Sequence, residues 1–228
     1  MESDAAMTTS ASGHAEQTVR AILHHRASAI LRTDDHASAA PAMDAAIRAG
    51  FRIIEFTLTI PGAFDLIEQY AARAEAEGLI VGAGTVLTAE DAHTAVERGA
   101  RYLVSPVVEE RVIQTGRDLG AVMMPGCHTP TEMLRAHRAG AHFQKLFPAP
   151  AGGPAWVAAC LGPMPFLRIV PTNGVDASNV GAFLKAGACG VGFVAPIFNA
   201  DDMAAKRWDE IERRAREILD AVRAVERD

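Results

Sequence analysis

Residues 46–58 read AIRAGFRIIEFTL, a helix-like stretch that ends at Gly50 and runs at once into a short apolar segment. Glycine just after an amphipathic stretch is a typical signal for the end of a helix. The same arrangement recurs at Gly99, Gly140 and Gly187. We therefore predict helices that each pass quickly into a strand.

Short apolar runs recur along the chain and predict eight strands. They lie at 29–31, 52–58, 79–83, 102–105, 121–124, 142–146, 167–170 and 190–194. Amphipathic stretches rich in Ala, Arg and Glu separate them, and one apolar stripe between Ile211 and Val225 predicts a last helix. Eight alternating strand and helix units in 228 residues favour the α/β class, as a parallel (β/α)8 TIM barrel.

The beginning of the chain differs in composition from the rest. Small and polar residues predict a disordered tail over 1–13, and an extra N-terminal helix is predicted at 16–25. No linker divides residues 14–228, which we expect to form a single barrel domain. The first residues do not resemble a signal peptide and no apolar run is long enough to span a bilayer, so we expect a cytoplasmic protein without a membrane partner.

Charge and cysteine usage exclude several function classes. The net charge is −6 and the basic residues are scattered, so no face is predicted to bind nucleic acid. Cys127, Cys160 and Cys189 are odd in number and widely spaced, which favours neither disulfides nor a zinc knuckle. The run at 34–36, Asp-Asp-His, is a candidate metal ligand set or a helix N-cap, but no second cluster completes it. We predict no metal and no cofactor.

Lys145 is the residue most indicative of chemistry. Only three of the 22 basic residues are lysines, and this one lies in the run AHFQKLFP at 141–148. A lysine held among apolar groups can lose its proton and act as a nucleophilic amine, which points to Schiff-base chemistry. The alternative is a lysine that only pairs with a buried carboxylate.

Glu55 is the predicted partner of Lys145. Strand alternation places Ile53, Glu55 and Thr57 on one face. The same rule groups Lys145 with Phe143 and Phe147, so the two polar side chains are predicted to meet inside the barrel. A carboxylate beside a neutral amine serves the proton transfers of imine formation. A buried ion pair remains the structural alternative.

Other candidates follow from the rule that barrel active sites lie at the C-terminal ends of the strands. After the third strand, Gly84 allows close approach of a ligand and Thr85 offers a hydroxyl. After the fifth strand, His128 is a candidate for the barrel mouth, or a solvated loop residue. The segment from Thr129 to Glu132 has the pattern of a capping box.

Together these segments resemble the class I 2-keto-3-deoxy-6-phosphogluconate (KDPG) and 4-hydroxy-2-oxoglutarate (KHG) aldolase family, over residues 29–198. The motifs are IIEFT at 53–57, GAGTVL at 82–87, SP at 105–106, PGCHTPTE at 125–132, QKLFPA at 144–149 and PTNGV at 171–175. The resemblance implies a trimeric barrel acting in carbohydrate metabolism on a small 2-keto acid. It also implies that Lys145 forms an imine with pyruvate and that Glu55 is the general acid and base.

The resemblance further implies substrate-binding positions. Thr85 matches a threonine that contacts the pyruvyl carboxylate, and Thr59 stands where some members have an arginine for the same anion. Arg32 is our candidate anchor, since other members place the arginine at the end of the first strand. A surface arginine on a loop is the alternative. The predicted substrate-binding residues are Arg32, Gly84, Thr85, Pro106, His128, Phe147, Thr172, Asn173, Gly174 and Phe193.

This chain differs most from the family in the two segments that bind phosphate in other members. Phosphate-binding members have sequences like Pro-Thr-Gly-Gly after the seventh strand and Gly-Val-Gly-Ser at the eighth. In this chain Asn173 replaces a glycine of the first motif, and Phe193 replaces the serine of the second. Since Phe193 exchanges a donor for apolar bulk, we predict preference for a smaller or unphosphorylated 2-keto acid.

Two other classes stay open from the sequence. A sugar-phosphate isomerase or epimerase would also use the loops after strands seven and eight. A non-catalytic barrel that binds a keto acid is the third reading. An oxaloacetate decarboxylase would share the imine mechanism.

Overall fold

The computed structural model describes residues 2–225; Met1 and residues 226–228 lie outside the described part. The helices are α1 Glu2–His25, α2 His36–Ala49, α3 Ala63–Glu77, α4 Ala89–Glu97, α5 Glu110–Asp118, α6 Pro130–Arg138, α7 Gly153–Leu161, α8 Val180–Lys185, α9 Ala200–Ala204 and α10 Trp208–Arg223. The strands are β1 Ala27–Leu31, β2 Ile53–Thr57, β3 Ile80–Gly84, β4 Tyr102–Ser105, β5 Val122–Cys127, β6 Gln144–Leu146, β7 Ile169–Pro171 and β8 Val191–Phe193.

The strands form one parallel sheet that curves into a barrel. Their order is β7-β6-β5-β4-β3-β2-β1-β8, and a bridge between Thr172 and Gly192 links the two ends. Each predicted strand overlaps an observed one within the described residues. The predicted (β/α)8 barrel is therefore confirmed.

Side chains alternate between two apolar layers, as the period-two pattern predicts. Ile54 and Phe56 of β2 lie in the outer layer, between the strands and the surrounding helices. Ile53 lies in the inner layer, together with Val19 and Ile22 of α1. Helix α1 thus packs against the barrel interior, so the space inside the strands is a filled core.

The helix ends follow the local signals in the sequence. Gly50 adopts φ 118° and its backbone N–H donates to the carbonyls of Ala46 and Ile47. Gly99, Gly140 and Gly187 also have positive φ, at 96°, 89° and 98°. Left-handed backbone is readily available to glycine, which explains why these positions end helices.

Polar side-chain caps begin several of the helices near the barrel mouth, and α6 and α2 are two examples. The capping box of α6 is present, with Thr129 accepting from the Glu132 N–H and the Glu132 side chain accepting from the Thr129 N–H. Asp35 caps α2 by accepting from the Ala37 N–H. The run at 34–36 therefore serves as an N-cap, and in residues 2–225 no group of three His, Cys, Asp or Glu side chains is arranged to hold a metal ion.

A helix lies near each end of the described chain, α1 and α10. The helix predicted at 16–25 forms part of α1, while the disordered tail over 1–13 and the single domain over 14–228 stay predictions. The apolar stripe of the last helix is confirmed, because Ile211, Ile218 and Val222 of α10 are buried. No helix in the described part of the chain is both long and apolar enough to cross a membrane.

Candidate active site

Lys145 and Glu55 lie buried near the C-terminal ends of β6 and β2. Their exposed fractions are 8% and 2%. Oε1 of Glu55 is buried and has no hydrogen-bond partner among the described residues. The two side chains share one interior space, and this carboxylate oxygen is left available for another partner.

Burial dominates the ionisation of both groups. It raises the pKa of the Glu55 carboxyl, while the positive charges of Lys145 and Arg32 oppose that rise. It lowers the pKa of the Lys145 ammonium, an effect that Glu55 opposes and Arg32 reinforces. A lysine with a lowered pKa supplies a neutral amine closer to neutral pH, which is what a nucleophilic lysine requires.

Aromatic and backbone groups enclose the lysine. Nζ of Lys145 lies 5.4 Å from the ring centroid of Phe147. Gly126 is the β5 partner of Lys145 in the sheet register, and a Cβ at Gly126 would overlap the Pro106 carbonyl oxygen. Two predicted site residues therefore lie close to Lys145. Phe147 lies beside its side chain, and Pro106 lies against Gly126 on the adjacent strand β5.

Gly84 makes room for the Glu55 carboxylate. A Cβ at position 84 would overlap Oε1 of Glu55. The absence of a side chain on this inner face of β3 thus lets the carboxylate lie directly against the backbone. Gly84 was predicted to allow close approach of a ligand. In the structure the Glu55 carboxylate fills the space next to Gly84.

Arg32 and Thr85 lie together at the barrel mouth. Nη2 of Arg32 donates to Oγ1 of Thr85 at 3.3 Å, and Thr85 adopts φ 61°. Arg32 is exposed, yet its charge acts on both Lys145 and Glu55. The structure thus places a cation and a hydroxyl at the entrance to the buried pair.

Thr172, Asn173 and Gly174 form the turn after β7. Thr172 is buried, and Asn173 and Gly174 are exposed with φ 66° and 84°. The Asn173 carbonyl accepts from the Ala149 N–H at 3.2 Å. This turn is therefore tied to the loop that follows β6 and Lys145.

The prediction for Phe193 requires correction. Its side chain is fully buried in the outer layer and packs edge to face against Phe51, with ring centroids 6.4 Å apart. Gly192 is the inward-facing residue of β8, where a Cβ would contact Thr172 and Ile30. Phe193 therefore does not place its ring at the mouth, and strict alternation along β8 was the signal for this.

His128 is exposed and belongs to the loop network. Its Nδ1 lies 3.0 Å from the Pro148 carbonyl oxygen, and its backbone N–H donates to Glu132 at 2.9 Å. These contacts link the loops after β5 and β6. Within residues 2–225 they connect His128 to Pro148 rather than to the Lys145 amine.

Tyr102 is an interior residue that its sequence context does not mark as functional. It is 1% exposed, and its hydroxyl is buried without a hydrogen-bond partner in the described chain. The apolar pattern of 102–105 gives no sign of a functional hydroxyl, because a tyrosine at the start of an apolar strand is usually a core aromatic residue. Its inward direction could have been read from the alternation with Val104.

Fold and site together define a class of protein. A (β/α)8 barrel with a buried lysine of lowered pKa, a carboxylate beside it and a cation at the mouth is suited to imine-forming lyase chemistry on a carbonyl acid. In comparisons with known proteins, the family model described as KDPG and KHG aldolase matches residues 19–214. The chain belongs to the KDPG and KHG aldolase family and is a class I aldolase, a lyase that cleaves a keto acid to pyruvate.

Individual relatives agree with this membership. The chain is 36% identical over 198 residues to the probable 2-dehydro-3-deoxy-6-phosphogalactonate aldolase of Rhizobium meliloti, covering 86% of this chain and 91% of that protein. It is 30% identical to the 2-dehydro-3-deoxy-phosphogluconate aldolase of Haemophilus influenzae, over 85% and 91% of the two chains. A solved structure described as native KDPGal matches with TM-score 0.80 and 28% identity, over 87% and 95%. The isomerase or epimerase and the non-catalytic barrel are therefore set aside.

Replacing Gly84 with alanine is expected to lower kcat/KM by about 100-fold without unfolding the barrel. Alanine fits the extended backbone of β3, but its Cβ would displace the Glu55 carboxylate. Steady-state kinetics with circular dichroism measures the effect. Gly181→Ala is the matched control, since its Cβ would lie 3.5 Å from Val225 in ordinary contact. Wild-type activity in Gly84→Ala would show that the position of Glu55 is unimportant.

Proposed function

We propose that this aldolase cleaves a 4-hydroxy-2-keto acid, of the 2-keto-3-deoxy sugar acid type, to pyruvate and an aldehyde. Lys145 is the imine-forming residue and Glu55 is the general acid and base. The observation that carries the proposal is the burial of both side chains in one space beneath Arg32 and Thr85. Substrates named for the relatives support the same substrate class.

Imine formation is the first stage. The neutral amine of Lys145 attacks C2 of the keto acid, and a proton passes from nitrogen to oxygen to give a carbinolamine. Protonated Glu55 donates to the hydroxyl, which leaves as water, and the iminium remains. The raised pKa of the buried Glu55 carboxyl favours its protonated form, as this acid role requires.

Bond cleavage is the second stage. The Glu55 carboxylate removes the proton of the C4 hydroxyl, the C3–C4 bond breaks, and its electron pair moves into the iminium to form an enamine. The aldehyde leaves first. Glu55 then returns its proton to C3, and water hydrolyses the resulting imine to release pyruvate and the free amine of Lys145.

Arg32 is proposed to hold the substrate carboxylate. A guanidinium suits a carboxylate because it donates two parallel hydrogen bonds. The nearby hydroxyl of Thr85 adds a donor, at 3.3 Å from the guanidinium. Thr59, at the position where some members carry an arginine, hydrogen-bonds to Thr57 at 2.8 Å and carries no charge. Arg32, after the neighbouring strand β1, is proposed to supply that charge instead.

The distal end of the substrate is proposed to be unphosphorylated. The residues after β8 read VAPIFN at 194–199 and offer no hydroxyl or cationic side chain. The Asn199 side chain accepts from two backbone N–H groups of α9. After β7, Thr172 is buried and Asp176 contributes a negative charge near the turn. Few side chains therefore remain to hold a phosphate dianion.

We expect kcat/KM for an unphosphorylated 2-keto-3-deoxy acid to equal or exceed that for its 6-phosphate, because this mouth gains little from the added anion. Pyruvate release from the two substrates, measured under matched ionic strength, tests the expectation. KHG serves as a shorter comparison substrate. Clear preference for the 6-phosphate would contradict the unphosphorylated assignment and leave the imine chemistry untouched.

We further propose a cytoplasmic homotrimer that acts in carbohydrate metabolism. Leu87 and Val107 follow the neighbouring strands β3 and β4 and are each 54% exposed, which supports a subunit interface near the mouth. The three cysteines are unpaired, as a reducing compartment requires. Light scattering after size-exclusion chromatography tests the trimer, and a monomer would contradict it.

A further inference from the structure

Tyr102 lies inside the barrel at the start of β4, among the inner apolar layer. Its hydroxyl is fully buried and has no hydrogen-bond partner within residues 2–225. The same holds for Oε1 of Glu55. Buried polar atoms in native proteins are almost always paired with protein groups or ordered water, so two orphans in one interior need a common explanation.

The inner face of β3 brings these two orphans towards each other. In the sheet register Gly82 pairs with Glu55 on one side and with Tyr102 on the other. A Cβ at Gly82 would overlap the hydroxyl end of the Tyr102 ring, and a Cβ at Gly84 would overlap the Glu55 carboxylate. Glu55 on β2 and Tyr102 on β4 thus extend over β3 from its two sides. Tyr102 lies over Gly82 and Glu55 lies over Gly84, the next inward position.

A bridge by one water requires the two side chains to lean slightly towards each other from these two positions. Inward positions two residues apart on a strand are separated by roughly 7 Å. A single water that bonds to both oxygens spans about 5.5 Å, since each hydrogen bond is about 2.8 Å long. A shared water would satisfy both orphaned atoms at once.

We propose that Tyr102 is a positioning residue for the aldol reaction, whose hydroxyl donates through one buried water to Oε1 of Glu55. This inference rests on the proposed role of Glu55 as acid and base. Burial and the charge of Glu55 raise the pKa of Tyr102 well above its usual value, so the hydroxyl remains a donor. The other groups that act on Glu55 are Lys145 from β6 and Arg32 after β1.

In the iminium complex Glu55 must be a carboxylate to remove the C4 proton, so replacing Tyr102 with phenylalanine should move the acid limb of the kcat profile to higher pH by about one unit, and lower kcat below that limb by about tenfold. Loss of a donor makes the carboxylate form of Glu55 less favourable, so its pKa rises further. Tyr70→Phe is the matched control. The chain has two tyrosines, and the Tyr70 hydroxyl bonds outside the barrel to Ala40 and Asp44, so its loss should leave the limb in place.

An acid limb that does not move in Tyr102→Phe would overturn the proposal. Thermal unfolding gives a second readout that is independent of catalysis. A bridged hydroxyl predicts a lower unfolding midpoint for Tyr102→Phe, whereas an orphaned hydroxyl predicts an unchanged or higher one. If the wild-type chain released no pyruvate, the proposed function would fail, and the unfolding midpoint would decide the Tyr102 pairing by itself.

Discussion

Replacing Lys145 with methionine is expected to lower kcat for pyruvate release by about 10⁴-fold or more, while the barrel stays folded. Methionine has nearly the length of lysine and suits a position that is 8% exposed, so the loss reports the missing amine. Without that amine no imine forms, and the electron pair of the C3–C4 bond has no acceptor. Initial rates with far-ultraviolet circular dichroism measure both parts of the expectation.

Lys145→Arg separates the nucleophile from a structural ion pair. Arginine keeps the positive charge beside Glu55 but does not lose its proton near neutral pH. The imine mechanism predicts that arginine fails as completely as methionine, whereas a purely structural lysine would tolerate it. Lys185→Met is the matched control, because Lys185 is exposed at the end of α8. Activity within tenfold of wild type in Lys145→Arg would refute the assignment.

Replacing Glu55 with glutamine is expected to lower kcat by about 10³-fold. Glutamine keeps the size of the buried side chain but can no longer carry protons between C4, C3 and water. It also removes the negative charge that opposes the fall of the Lys145 pKa, so the amine becomes easier to deprotonate. The loss of activity should therefore persist from acidic to alkaline pH.

Rates across the pH range, with a single-turnover measurement of imine formation, test the Glu55 prediction. Glu97→Gln is the control, since Glu97 is exposed at the end of α4. A kcat equal to or above that of the wild type in Glu55→Gln on the acidic side, where its amine is the more readily deprotonated, would show that Glu55 only sets the charge of Lys145. A kcat within threefold of wild type at every pH would remove Glu55 from the mechanism.

The elements of the barrel were predictable because their signals are local. Glycine after an amphipathic stretch, as at Gly50, and a capping box, as at Thr129, depend on a few neighbouring residues. The inward direction of Glu55 and Lys145 followed from strand alternation, since β2 and β6 are regular over these positions. Arg32 was predicted from resemblance, and the structure places it against Thr85.

The remaining features depend on contacts between elements. Phe193 was assigned to the mouth by motif position alone, whereas alternation along β8 turns its ring outward, where it packs against Phe51 in the outer layer. The contact of His128 with the Pro148 carbonyl joins two loops that the sequence does not relate. The relation of Tyr102 to Glu55 is visible only in the structure. Gly82 and Gly84 have no side chains, so the Tyr102 and Glu55 side chains, from two different strands, can both lie against β3.

Borohydride reduction of the protein with and without pyruvate, followed by peptide mass mapping, tests the central claim most directly. An imine between pyruvate and Lys145 predicts a reduced pyruvyl adduct on the peptide that contains residue 145. The adduct should be absent without pyruvate and absent in Lys145→Met. A folded wild-type protein that shows no adduct, or carries it on Lys185 or Lys206 instead, would contradict the assignment of Lys145 as the imine-forming residue.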